Sequence, residues 1–237
     1  MRILLLNQTW FADELTALGH QVVSVGWRGE HFDVKLNSPL QSAMQLFEEF
    51  RSRGFVAERI VYYDDSGPMT FSGVEDLPVP TVFYSVDAHH HIAWHEYFAR
   101  CFDLTLVAQK GYLERFSRSV AGAQWFPLWS SVFAEPDEEK TIPVCFRGTL
   151  DEQLHPERAH FFKRFKNFLP IDSAEGSFVE PFTKSEIVVN QAVKDDLNFR
   201  VFESMMCGPL LITPHLPQSG MEMLFREGEH YVSYLQG

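Results

Sequence analysis

A chain of 237 residues, 45% hydrophobic and 22% charged, carries enough apolar content for one large core or two smaller ones, which excludes a disordered chain. Its formal net charge of −12, without a clustered basic stripe, excludes a nucleic-acid surface but not a small anionic ligand, which needs only one or two arginines. No apolar run is long enough for a transmembrane segment and the opening Met1 to Asn7 is too short for a signal sequence, so a cytoplasmic protein is expected, with Cys101, Cys145 and Cys207 as buried free thiols.

Ile3 to Leu6 is a continuous apolar run, as suits a central parallel strand buried on both faces. A helix from Thr9 to Leu18, stopped by Gly19, and a strand from Gln21 to Val25 complete a βαβ start. The first turn, Asn7 to Phe11, lacks the glycines of a dinucleotide fingerprint, so no tightly held NAD is expected. Pro39 to Arg53 is the next helix, with Leu40, Ala43, Leu46, Phe47 and Phe50 on one side, and Arg59 to Tyr63 the next strand. Met69 to Pro80 is rich in turn residues and predicts a surface loop. Strands at Thr81 to Val86, Leu104 to Ala108 and Ala123 to Leu128 alternate with helices at Asp87 to Cys101 and Lys110 to Ser117, the repeat of a doubly wound sheet.

Composition then shifts. Residues 1–130 form one expected domain, residues 131–143 lack apolar periodicity and suggest a linker, and residues 144–237 form a second domain. That second half begins with a strand from Val144 ending at the turn Arg147-Gly148-Thr149. A helix from Pro156 to Phe168 follows, with Arg158, Lys163, Arg164 and Lys166 on its solvated side, and then a strand at Glu186 to Asn190. Asn198 to Gly208 is a helix that Asn198 caps and that Gly208 and Pro209 end, with Phe199, Phe202 and Met206 as its core stripe and Arg200 and Glu203 on the other face. Leu210 to Thr213, a helix at Gly220 to Arg226 and a strand at Tyr231 to Tyr234 close the chain. Few helices are available to cover this sheet and none closes it, so the second domain is expected to be short or truncated.

Ligands of open parallel sheets bind beyond the carboxyl ends of the strands. Four turns meet that condition and are expected to face one another across a cleft between the halves. The first holds Asp87, His89, His90, His91 and His95. His91 and His95 have the i, i+4 spacing of a metal chelate, but a polar cleft wall touching substrate hydroxyls and a plain polar helix start fit the same residues, and no metal site is predicted. Asp87 is equally a helix cap or a catalytic carboxylate. In the second turn Arg147 and Gly148 form either a phosphate seat or an ordinary strand-end turn. Arg200 and Glu203 in the third are either a surface pair or cleft groups beside a helix start that suits phosphate. The fourth, Ser219-Gly220-Met221-Glu222, starts a helix and can be a simple cap.

The stretches Val188-Val-Asn190, Asp196-Leu-Asn-Phe-Arg-Val-Phe-Glu203, Cys207-Gly-Pro-Leu-Leu-Ile-Thr213, Gly220-Met-Glu-Met-Leu-Phe225 and Glu227-Gly-Glu229 resemble the carboxy-terminal half of GT-B glycosyltransferases. The pattern is closest to the glycosyltransferase-like domain of spore-maturation proteins. Tyr84-Ser-Val-Asp87, Phe102-Asp103, Ala108-Gln-Lys110 and Trp125-Phe-Pro-Leu128 are similar to the first half of that group. The resemblance implies two Rossmann-like domains and transfer of a sugar from a nucleotide-diphosphate sugar to an unknown acceptor hydroxyl, with no cofactor beyond the donor and no metal. It implies that Glu203 holds the ribose hydroxyls, as the second acid of a Glu-x7-Glu pattern whose first acid falls on Asp195, a shorter carboxylate. It also matches Gly148 to the glycine turn of the donor site, where Arg147, Arg158 or Arg200 neutralises the diphosphate, and leaves Asn198, Gly220 and Glu222 as further contacts. Asp87, His89 or His91 would orient or deprotonate the acceptor. A nucleotide-sugar epimerase on the same fold and a non-catalytic nucleotide- or partner-binding relative are the alternatives.

Overall fold

The computed structural model describes residues 1–29, 31–137 and 139–235. The chain forms two compact units, Met1–Phe126 and Pro127–Gly237. Both are α/β with parallel sheets, the expected class.

In chain order the first unit contains β1 Arg2–Leu6, α1 Ala12–Ala17, β2 Gln21–Gly26, β3 Val34–Lys35, β4 Gln41–Ser42, α2 Ala43–Ser52, β5 Arg59–Tyr63 and β6 Phe71–Ser72. It continues with β7 Thr81–Ser85, α3 Ala88–Phe98, β8 Leu104–Val107, α4 Leu113–Ser119 and β9 Ala123–Trp125. Seven of the strands form one sheet in the order β3-β2-β1-β5-β7-β8-β9. β1 lies in the sheet interior, between β2 and β5, because Ile3 to Leu6 are apolar on both faces, and all four are buried. Leu4 pairs in register with Val23 on one side and Ile60 on the other. The winding direction reverses between β1 and β5, so the crevice at their carboxyl ends is the topological switch point of this sheet.

Two departures from the sequence reading have local causes. The Pro39 to Arg53 helix begins only at Ala43, because Ser42 is its cap and accepts a hydrogen bond from Gln45 N at 3.3 Å; Leu40 is left exposed while Ala43, Leu46, Phe47 and Phe50 are buried. Ser42→Ala is expected to cost about 1 kcal/mol, read as a lower urea midpoint. The Met69 to Pro80 segment is no surface loop: β6 pairs with β4, and Thr70, Phe71 and Val74 are buried. Its turn residues punctuate a packed strap that carries core side chains.

The second unit contains β10 Ile142–Arg147, α5 Pro156–Phe165, β11 Asp172–Ala174, α6 Val179–Thr183, β12 Ser185–Val189, α7 Phe199–Cys207, β13 Leu210–Pro214, α8 Met221–Leu224 and β14 Tyr231–Tyr234. Its five strands are ordered β11-β10-β12-β13-β14, with the switch point between β10 and β12. Within the stretch read as a linker, Ala134 N donates to Met206 O at 3.1 Å and Asp137 N to Thr183 O at 3.1 Å. β11 and α6 escape the sequence reading because Asp-Ser-Ala has no apolar alternation and α6 contains Pro181. Arg158 is buried in α5 instead of solvated. The deepest side of α7 is Val201, Ser204 and Cys207, while Phe199, Phe202 and Met206 are half-buried. Ser204 tolerates this burial because its hydroxyl donates to Arg200 O at 2.6 Å. The helix expected from Gly220 to Arg226 is the four-residue α8, ended by the extended backbone of Phe225. Among the described residues no helix is long and apolar enough to cross a membrane.

Candidate functional site

In the second unit the groups at the switch point converge on Arg200. Its Nε donates to Arg147 O at 2.6 Å, at the end of β10, and a terminal nitrogen donates to Asn190 Oδ1 at 2.9 Å, just beyond β12. The guanidinium lies 4.3 Å from the centroid of the Phe146 ring. Gly148 permits this approach: at φ 147°, any Cβ there would overlap the guanidinium. Burial, with repulsion from Arg158, pushes Arg200 down to about 10, so it remains a cation at neutral pH.

Arg158 makes a second bridge over the same crevice. It reaches from α5 to Thr149 O at 3.3 Å and to Gln191 O at 3.2 Å, and it too sits by Phe146, 5.9 Å from the centroid. Its buried Nε has no hydrogen-bond partner among the described residues. Two cations, Arg158 buried and Arg200 half-buried, thus tie the turn after β10 to the turn after β12.

Asn190 is fully buried and bonds through both its side-chain amide and its carbonyl. Its Nδ2 donates to Thr213 Oγ1 at 3.0 Å, its Oδ1 accepts from Arg200 and from Asn198 Nδ2 at 3.1 Å, and its carbonyl accepts from Tyr234 Oη at 2.9 Å. Asn198 stands at the N-cap position of α7, but its amide turns to Asn190 and Asp196 instead of capping the helix, and its buried Oδ1 has no hydrogen-bond partner among the described residues. The carboxylate buried in this turn is Asp196, whose Oδ1 accepts from Val193 N at 2.9 Å. Burial raises its pKa, opposed by that N–H, by Asn198 and by both arginines.

The remaining expected residues of this unit are distributed as follows. Asp195 is exposed, in a left-handed conformation with φ 58°. Glu203 is half-buried one turn beyond Arg200, its pKa raised by burial and lowered by the Arg200 cation. Arg147 turns toward the sheet edge and pairs with Asp172 at 2.7 Å. Gly220, φ 82°, begins α8, where Ser219 Oγ accepts from Met221 N at 3.1 Å; Glu222 is exposed on that helix.

In the first unit the switch point carries two residues that pattern reading missed. Asn7, left-handed at φ 74°, donates through Nδ2 to Tyr63 O at 3.3 Å, joining β1 to β5. Asp64, buried just beyond β5, accepts from Ser66 N at 2.9 Å through Oδ1, and from Val86 N at 3.2 Å and Asp87 N at 2.7 Å through Oδ2. It therefore grips the turn that leads into α3. Burial raises its pKa, opposed by those N–H groups and by His91. The signal for both was available, since each is a polar residue directly after an apolar strand.

Asp87 takes the N-cap position of α3, where its carbonyl accepts from His90 N and His91 N at 2.9 and 3.1 Å; its carboxylate does not bond to the first N–H groups of the helix. His89 is buried and His91 half-buried. His95 is fully buried, with Nδ1 2.8 Å from Ser85 Oγ and Nε2 3.7 Å from Asp64 Oδ1. Burial, with a repulsive contribution from His91, pushes it down to about 3, so the ring is neutral. Among the described residues no group of three or more His, Cys, Asp or Glu is arranged to hold a metal ion.

The comparisons with known proteins give several likenesses of fold and one family match. The chain is similar to a glycosyltransferase from Rickettsia africae, with a TM-score of 0.61 and 10% identity over 98% of this chain and 84% of that one. It is also similar to a lipopolysaccharide outer core galactosyltransferase, TM-score 0.53 and 10% identity over 98% and 86%. A third similar structure is the UDP-GlcNAc 2-epimerase of Methanocaldococcus jannaschii, TM-score 0.53 and 9% identity over 99% and 89%. At these identities the likenesses establish the shared fold of Rossmann-like units. No curated protein matches the sequence. A family model described as glycosyl transferase-like matches residues 113–237, more than half of the chain and all of the second-unit turns described above. The chain belongs to the glycosyl transferase-like family.

Proposed function

We propose that the protein transfers a sugar from a nucleotide-diphosphate sugar to an acceptor hydroxyl, and that it neutralises the leaving diphosphate with arginines instead of a metal ion. The observation that carries this reading is the pair of guanidiniums, buried Arg158 and half-buried Arg200, each bridging the two turns at the switch point of the second unit. Two like charges held beside the same phenyl ring repel one another, and an anion set between them relieves that repulsion. A diphosphate there gains charge as the glycosidic bond breaks, so preorganised cations favour the transition state over the ground state. Glu203 takes the ribose hydroxyls in this reading, Asn198 and the start of α7 complete the anion seat, and Asp87 with His89 and His91 serves the acceptor.

Calorimetry with UDP, GDP, dTDP and CMP, with and without chelator, tests the donor site. Binding of at least one of the three nucleoside diphosphates, unchanged by chelator, is expected; silence from all three, or binding of the monophosphate CMP alone, would end the proposal. Glu203→Gln keeps the shape and removes the charge, and it is expected to weaken nucleotide binding about tenfold, the cost of one charge-assisted hydrogen bond. The likeness to a UDP-GlcNAc 2-epimerase gives a second reading, in which the same donor site feeds isomerisation of the sugar. Chromatography of the recovered nucleotide sugar separates the two: free nucleoside diphosphate marks transfer or hydrolysis, and an epimeric nucleotide sugar marks isomerisation.

A further inference from the structure

Asp64 has no role in the mechanism above, yet it is the most constrained carboxylate of the first unit. It sits at the topological switch point, its side chain is 1% exposed, and it accepts three backbone hydrogen bonds. Two of those donors, Val86 N and Asp87 N, belong to the turn that delivers Asp87 and the histidine face of α3. Burying a carboxylate is costly unless its charge is used.

The surroundings supply that use. Asp64 Oδ1 faces His95 Nε2 at 3.7 Å, and the other ring nitrogen of His95 is 2.8 Å from Ser85 Oγ. The His91 and His95 rings stand 5.4 Å apart, centroid to centroid. With His95 neutral, a carboxylate in front of Nε2 favours the tautomer that carries its proton there, leaving Nδ1 to accept from the Ser85 hydroxyl. One negative charge therefore braces the backbone of the turn by hydrogen bonds and biases the tautomer of the ring behind His91 across 3.7 Å, where Nε2 has no hydrogen-bond partner among the described residues. The charged and titratable groups around it are His91 and His95 from α3 and Asp65 from its own loop.

We propose that Asp64 is a positioning residue of the glycosyl-transfer site, holding the turn before α3 and the His95 tautomer so that Asp87 and His91 are presented in a fixed geometry. The proposal rests on the transferase reading above. Asp64 acts through the turn and does not touch the donor, whose groups belong to the second unit.

Asp64→Asn in the full chain is the test, because asparagine keeps the shape and can still accept from the Val86 and Asp87 N–H groups. Its NH2 then faces His95 Nε2, so the His95 proton is expected to move to Nδ1, visible in long-range proton–nitrogen spectra of the histidine rings. Donor turnover is expected to fall about 10²-fold, as for a displacement of roughly 1 Å at a reacting group, with the KM for donor unchanged. Asp64→Glu, which keeps the charge and lengthens the arm, is expected to retain the wild-type tautomer and recover part of the rate. Unchanged ring spectra in Asp64→Asn, or wild-type turnover in a folded Asp64→Asn protein, would overturn the proposal. A wild-type protein that binds no nucleoside diphosphate would instead sink the transferase reading, while the ring spectra still decide whether Asp64 sets the His95 tautomer.

Discussion

Arg200→Ala is expected to abolish measurable binding of nucleoside diphosphates and to lower the unfolding free energy by about 2–3 kcal/mol, the scale of losing charge-assisted hydrogen bonds made by a half-buried cation. The loss has several sources. Arg147 O and Asn190 Oδ1 lose charge-assisted donors, the Phe146 ring loses the nearer of the two guanidiniums described beside it, and Asp196 loses the Arg200 cation. Part of the cost is offset, because Arg158 no longer faces a like charge. Stability and binding are separable with Arg200→Met, which fills the volume without the charge. It is expected to be more stable than Arg200→Ala and to bind no better. Arg200→Lys places a compact ammonium where a planar fork spans two acceptors, so it is expected to recover the charge but not the bridge, and to bind about 10- to 100-fold more weakly than wild type. Urea unfolding and calorimetry on the same samples give both quantities. Nucleotide binding by Arg200→Met within a factor of about two of wild type would show that the guanidinium does not carry the anion site.

The unequal legibility of this chain in its sequence has physical causes. Strands buried on both faces announce themselves as apolar runs, so Ile3 to Leu6 and Arg59 to Tyr63 were found close to their true limits. The βα repeat then implied parallel sheets, and the glycosyltransferase resemblance is supported by the family match over residues 113–237. Helix α7 was placed from Asn198 and Gly208, and Gly208 does adopt the left-handed conformation at φ 79°. The detail of that helix was misjudged because hydrophobic periodicity weights Phe and Met above Ser and Cys, whereas the side packed deepest holds Ser204 and Cys207.

The same bias hid the switch-point residues. Arg158 looked solvated because charged residues on a helix usually are, and only the tertiary placement of α5 sets it beneath Thr149 and Gln191. Asp196 and Asp195 are adjacent in sequence and chemically alike; the turn closed by the Asp196 N to Val193 O bond buries one and exposes the other. Asp64 and Asn190 follow apolar strands, a position that marks the carboxyl end of a parallel strand, but their bonds reach 22 and 23 residues along the chain. Periodicity within a window of a dozen residues does not register partners that far away.

Gly148→Ala tests whether that long-range geometry is as tight as it looks. The residue has two independent reasons to be glycine. Its φ of 147° lies where an L side chain is strained, and a Cβ would meet the Arg200 guanidinium and, at 3.1 Å, the edge of the Phe146 ring. Backbone strain of about 1–3 kcal/mol adds to overpacking of about 1–3 kcal/mol, so the substitution is expected to cost several kcal/mol and to displace Arg200 from Arg147 O. Nucleotide binding falls with it, although Gly148 contributes no charge. The two causes separate in a double-mutant cycle. In the Arg200→Ala background the steric partner is gone and only the φ strain and the Phe146 contact remain, so Gly148→Ala should cost less there by about 1–2 kcal/mol. Full additivity of the two substitutions, measured as urea unfolding free energies, would mean that Arg200 yields freely to the new methyl group. It would also mean that the bridge between β10 and β12 is looser than its two hydrogen bonds and its ring contact require.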